Sequence, residues 1–137
     1  MLPDAIRALI EEEQRRQNGH LVEGIELDQY LQKLGDFAEL VSDSLADRCR
    51  GFVAFYCNDE STKQAYITMV LVAPEHRRLG IGSALVSCVL DLARRRGFTT
   101  CRLEVADSNA DAFAIYSALG FVLVERRGDR QLLEVRL

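Results

Sequence analysis

Val70-Leu71-Val72-Ala73-Pro74-Glu75-His76-Arg77-Arg78-Leu79-Gly80-Ile81-Gly82-Ser83 changes its hydrophobic period midway. Upstream, Gln64–Val72 reads as a strand, and its unbroken apolar end predicts a central place in a sheet. Downstream, Ile81, Ala84, Leu85, Cys88, Val89, Leu92 and Ala93 recur at i, i+3, i+4 spacing, the stripe of an amphipathic helix. Arg94-Arg95-Arg96 falls in its last turn, where it complements the helix dipole, and Gly97 stops it. A strand that ends, turns at a proline and feeds a helix through Gly-x-Gly leaves the first helical N–H groups free at the positive end of the dipole. Phosphate binds at such ends. Gly80 and Gly82 let a ligand approach the main chain with no Cβ in the way, and Arg77 and Arg78 add positive charge. Two familiar phosphate loops are excluded: no Gly-Lys-Ser/Thr is present, and position 85, where a dinucleotide fingerprint needs its third glycine, is Leu.

Working outward, Phe37–Ser42 and Arg50–Cys57 read as strands on either side of a polar turn at Ser44–Arg48. With Gln64–Val72 they predict an antiparallel meander. Further upstream the pattern is helical. Residues 3–17 place Leu2, Ala5, Ile6, Leu9 and Ile10 on one face, and Glu11-Glu12-Glu13 reads as a solvated face with Glu11–Arg15 and Glu12–Arg16 pairs. Asp28 is expected to cap a short helix carrying Tyr30, Leu31 and Leu34, with Gly35 as its terminator. Past the long helix come a strand at Thr99–Val105 and a helix opened by Ser108-Asn109-Ala110-Asp111 and closed by Gly120. A hairpin of Phe121–Arg127 and Gln131–Leu137 then folds about Gly128-Asp129. The expectation is a single domain over 1–137, with a helical part at 1–35 and a sheet core at 37–137.

The 137 residues are 48% hydrophobic and 28% charged, the balance of a globular protein, and no apolar run approaches a membrane span. The start lacks the pattern of a signal peptide, so a cytoplasmic location with no membrane partner is expected. Cys49, Cys57, Cys88 and Cys101 are scattered and only His20 and His76 are present, so reduced thiols and no metal site are expected. The net charge of −4 argues against a nucleic-acid partner. It divides unevenly: 13 acidic and 7 basic side chains in residues 1–64 against 8 and 10 in 65–137, which places an anionic ligand on the second half.

Arg77-Arg78-Leu79-Gly80-Ile81-Gly82, its Val72-x-Pro74 lead-in, Leu103-Glu104-Val105, Ser108-Asn109-Ala110 and Tyr116…Leu119-Gly120-Phe121 occur in an order that resembles the GNAT (GCN5-related N-acetyltransferase) family. The resemblance is close from Gln64 to Phe121 and extends from about Phe37 to the end. It implies an α+β fold: a mixed, mostly antiparallel sheet with a splayed parallel central strand pair, flanked by helices on both faces. It also implies acetyl-CoA as acyl donor. The diphosphate would lie on the amides of Arg78, Leu79, Gly80, Ile81, Gly82 and Ser83, with Arg77 beside it. The pantetheine arm would run along Val70, Leu71 and Val72 like an added strand. Asn109 matches a position that reaches the coenzyme from the next helix, and it equally suits a helix start; the two are compatible.

The reaction needs a neutral amine to attack the thioester and a proton for the leaving thiolate. Tyr116 matches the family's proton donor; its alternative is a core aromatic. No carboxylate stands in Tyr66-Ile67-Thr68-Met69-Val70, where many relatives carry the base. Glu104 matches the position used by relatives that acetylate protein N-termini. Its alternative is a salt-bridged strand residue, partnered by Arg102 or Arg126. His20 and His76 read as surface loop residues. For the acceptor, Phe55-Tyr56-Cys57-Asn58-Asp59 is similar to acetyltransferases of surface-glycan biosynthesis and points to an amino sugar or other small amine. Leu103-Glu104-Val105 and Ser108-Asn109-Ala110 point instead to a protein or peptide N-terminus. A coenzyme-binding module without chemistry is the alternative of another class. Homodimers are common in the family, and nothing in the sequence fixes one.

Overall fold

The computed structural model describes all 137 residues. Helices α1 (Asp4–Arg16) and α2 (Leu27–Phe37) precede strands β1 (Glu39–Leu45), β2 (Arg48–Tyr56) and β3 (Gln64–Val72). A single 3-10 turn, Pro74–His76, leads to α3 (Ile81–Arg95), β4 (Thr100–Ala106), α4 (Ala110–Ala118), β5 (Val122–Arg127) and β6 (Arg130–Arg136). The six strands run in the order β1-β2-β3-β4-β6-β5. Every neighbouring pair is antiparallel except β3 and β4. The expected α+β mixed sheet is therefore present, with its single parallel pair at the centre.

Two apolar layers cover the two faces, and β2 shows why. Val53 and Phe55 point to the core that α3 and α4 close, whereas Phe52 and Ala54 point to the core under α1 and α2. Strand alternation sends neighbours to opposite faces, so a strand buried on both sides is apolar throughout.

Several local expectations shift. Gly35 does not end α2; the helix continues through it to Phe37, so the helical part passes residue 35 and β1 begins at Glu39. A Cβ on Gly35 would stand 2.8 Å from the Leu2 amide nitrogen, so this glycine serves a close crossing of α2 and the N-terminal segment. The N-cap of α2 is Glu26, and Asp28 sits in its first turn. The turn between β1 and β2 tightens to Ala46 and Asp47. Asn109, not Ser108, caps α4, accepting the Ala112 N–H at 3.2 Å. The glutamate run in α1 is not a uniform solvated face: Glu12 is exposed but Glu13 is buried and pairs with Arg16.

Candidate active site

The parallel pairing of β3 with β4 is short, from Gln64↔Thr100 to Ile67↔Leu103. Beyond it each strand keeps its outer partner: β3 stays with β2 to Val72↔Gly51 and β4 stays with β6 to Ala106↔Arg130. The divergence starts at a bulge. Ala54 pairs Met69 and Phe55 pairs Ile67, which leaves Thr68 as an extra residue in β3. A bulge bends its strand and resets the alternation. Accordingly Ala65 and Ile67 face the α3 core, and after Thr68 the even-numbered Val70 and Val72 take over that face while Met69 and Leu71 turn to α1 and α2.

The gap is a cleft of about 530 Å³ that passes between the strands. On the α3 and α4 side it is lined by Val70, Val105, Asn109, Ala112 and Tyr116; on the other by Thr68, Met69, Glu104, Arg130 and the segment after α1 that carries Gln17, His20 and Glu23. Of the residues singled out from sequence, Val70, Glu104, Asn109 and Tyr116 thus share one cavity, whereas Leu71 turns into the α1 core.

Tyr116 is buried at 8% exposure, its ring packed edge-on against Phe121 with centroids 5.9 Å apart. No protein group bonds its hydroxyl, which opens on the cleft. Burial pushes the phenol up to about 12, so it stays protonated at neutral pH. Glu104 accepts from Arg127 Nη1 at 2.8 Å. The expected partners are engaged elsewhere, Arg102 with Glu134 at 2.7 Å and Arg126 with Asp107 at 2.6 Å. The cause is a second bulge: Leu123 pairs Leu133 but Glu125 pairs Leu132, so the face of β5 shifts by one residue and Arg127 arrives where Arg126 would have stood.

At the other end of β3 the backbone is left-handed at Arg78 (φ 65°) and at Gly80 (φ 79°), the N-cap of α3. Left-handed residues within a turn build anion-binding concavities. The first loop amide, Arg77 N–H, bonds Pro74 O and the first bond of the helix is Ala84 N–H to Gly80 O. The six amides between, Arg78 to Ser83, donate to no protein acceptor, and no side chain caps the helix. A Cβ on Gly80 would meet nothing within 4 Å, so that side is open. Arg78 reaches out to Asp111 at 4.0 Å, both nearly fully exposed, a pair worth little in water. Arg77 is directed away, onto the Val72 carbonyl and Glu13, each at 3.1 Å.

Sequence reasoning missed Gly51, where a Cβ would come within 3.2 Å of Ile81 Cγ2 and 3.1 Å of Leu71 O; its absence lets α3 start directly on β2. A glycine inside a strand pattern was the signal available. It also missed the segment after α1 and Arg130, which only the folded chain brings to the cleft.

A model of the Acetyltransferase (GNAT) family matches residues 5–121. The chain belongs to this family. Over 68 residues this GNAT protein is 38% identical to the ribosomal protein bS18-alanine N-acetyltransferase of Escherichia coli K12, a match that covers 50% of this chain and 46% of that one. The chain thus spans about half the length of the curated relatives it matches. The crystal structure of the ribosomal-protein-S18-alanine N-acetyltransferase from Escherichia coli superposes with a TM-score of 0.75 at 22% identity, covering 97% of this chain and 87% of that one. That of the PaiA N-acetyltransferase from Thermoplasma acidophilum, in complex with coenzyme A, gives 0.68 at 17% identity, covering 100% and 80%. At these identities the two structures show the GNAT fold alone. No helix of the protein is long and apolar enough to cross a membrane.

Proposed function

We propose that this GNAT protein transfers an acetyl group from acetyl-CoA to a primary amine, and that the amine is the N-terminus of a polypeptide. The observation that carries the first part is the row of six unpaired amides from Arg78 to Ser83, at an open helix end. They fit a diphosphate in charge, geometry and access. When bound there, acetyl-CoA supplies an activated thioester.

In this reading the amides of Arg78 to Ser83 hold the diphosphate. The edge of β3 left free by the splay, Val70 to Val72, offers main-chain groups to an extended arm. Asn109 borders the same channel while capping α4. Tyr116, kept neutral by burial, delivers a proton to the departing sulfur. Glu104 opens on the opposite face of the sheet, where it attracts the acceptor ammonium and takes its proton. The sheet thus keeps donor and acceptor on opposite sides and lets them meet only at the gap.

The polypeptide acceptor is supported by the match to the bS18-alanine N-acetyltransferase. The amino-sugar reading rests on the resemblance of Phe55-Tyr56-Cys57-Asn58-Asp59 alone, and the match to the bS18-alanine N-acetyltransferase favours the polypeptide. Within that stretch Phe55 and Cys57 are 1% and 5% exposed and pack into the α3 core.

Thiol release from acetyl-CoA is the test, with a peptide bearing a free N-terminal alanine, the same peptide blocked at its N-terminus, amino sugars and polyamines as acceptors. Turnover is expected with the free peptide only, with one acetyl group located on its N-terminus by mass spectrometry. Turnover with an amino sugar in place of the peptide would refute the acceptor, and failure to bind coenzyme A would refute the donor. Tyr116→Phe is expected to lower turnover about a hundredfold or more with coenzyme affinity unchanged, the size of a lost general acid.

A further inference from the structure

Glu13 is the one charged residue among those buried in the protein, 4% exposed on the inner face of α1. A buried carboxylate persists only where its charge and lone pairs are satisfied. One oxygen of Glu13 accepts from Arg16 and from Arg77 Nη2, the latter at 3.1 Å, and the other accepts from Gln17 Nε2 at 2.7 Å. Burial by itself would raise this carboxyl; the bonds from Gln17 and Arg16 and the charge of Arg77 together hold it below its ordinary value. The Arg77 guanidinium also donates from Nε to the carbonyl of Val72, the last residue of β3, at 3.1 Å. It stands one residue before the first free amide of the loop. Gln17, at the other end of the cluster, lines the acceptor side of the cleft.

We infer that Glu13 and Arg77 form a strut that holds the anion-binding loop and the acceptor wall in one geometry. Both are positioning residues, and Arg77 is not a ligand of the diphosphate. The inference rests on the proposed donor site for its affinity readout. The physical argument is one of sign. An arginine that swung onto the diphosphate would abandon a buried carboxylate. Conversely, if Arg77 were a phosphate ligand, removing the negative charge of Glu13 would release it and strengthen the site. The strut requires the opposite: losing Glu13 loosens the loop and weakens coenzyme binding although an acidic group has been taken away.

Coenzyme A affinity is measured by titration calorimetry for the wild type, Glu13→Gln, Arg77→Gln and the double variant, with the KM of the acceptor peptide for each. The strut predicts that each single variant weakens coenzyme A roughly tenfold, that the double variant is no worse than either, and that the peptide KM rises in both singles. Such non-additivity is the mark of one shared interaction. Tighter or unchanged binding by Glu13→Gln would overturn the inference, as would losses that add, or an unmoved peptide KM. The Arg77 side chain is 45% exposed, so if the buried variant fails to fold, Arg77→Gln still tests the strut through the peptide KM, which loss of a mere phosphate ligand would leave unmoved. A readout without coenzyme separates this inference from the proposed function. Trypsin should cut the native chain after Arg78 faster in either variant, because the loop opens more often. A wild type that ignores coenzyme A would end the donor assignment alone; cutting rates unchanged in both variants would end the strut.

Discussion

Tyr116 owes its protonation state to packing, and this has a consequence at alkaline pH. The phenol moves from an ordinary value of 10 to about 12 because the folded protein buries it. The unfolded chain therefore gives up this proton first, so the contribution to stability is complete below about pH 10 and is lost as pH rises toward 12. The shift corresponds to roughly 3 kcal/mol. Denaturant titrations between pH 9 and 12 should show a steeper loss of stability for wild type than for Tyr116→Phe, and parallel curves would contradict the burial argument. Glu104 is testable at the same scale. Glu104→Gln should lower turnover with the peptide about a hundredfold, the size of a lost general base, while leaving stability within about 1 kcal/mol, since Arg127 is half-exposed and rehydrates. Unchanged turnover would return Glu104 to the role of a salt-bridged strand residue. Its partner could not be read from the sequence, because the residue count along β5 is broken by a bulge that only strand pairing reveals.

At the scale of elements, glycines report where two pieces of backbone meet. Gly35 lies inside α2, where alanine would favour the helix by about 1 kcal/mol. The new methyl group would stand 2.8 Å from the main chain of Leu2, a residue only 3% exposed. Backbone does not yield as a side-chain tip does, and overpacking costs about 1–3 kcal/mol, so crowding outweighs propensity. Gly35→Ala is expected to melt below wild type, and a higher melting temperature would show that α2 can move away from the N-terminus. The sequence pattern reads Gly35 as a helix stop because glycine terminates helices far more often than it admits a crossing chain. The same pattern places α3 correctly, since a long amphipathic stripe has only one buried orientation.

For the whole molecule, the functional feature is a sheet that is one piece at its Gln64 end and two pieces at its Val72 end. Each half is braced by its own antiparallel partners, so the gap costs no strand its outer ladder. A ligand that fills the gap and the α3 end binds the folded chain only and must stabilise it. At a hundredfold excess over its Kd, coenzyme A should add about 2.7 kcal/mol. For a chain of this size that raises Tm by on the order of 9 °C. A melting curve that coenzyme A leaves in place would contradict the donor site as a whole.

What the amino-acid order determined alone is local: the strand, turn and helix around Gly80, the free amides that this succession entails, and the periodicities that assign each segment to sheet or helix. These follow from covalent geometry and from patterns that repeat within a few residues. What only the tertiary structure decided is which residues meet. Nothing in the strand pattern of Gln64–Val72 marks Thr68 as the extra residue that parts the sheet. In a row of three glutamates, nothing local marks Glu13 as the one facing inward onto an arginine 64 positions away. A bulge changes side-chain parity, and a buried ion pair needs a partner from a distant segment; both depend on contacts that close only when the layers pack.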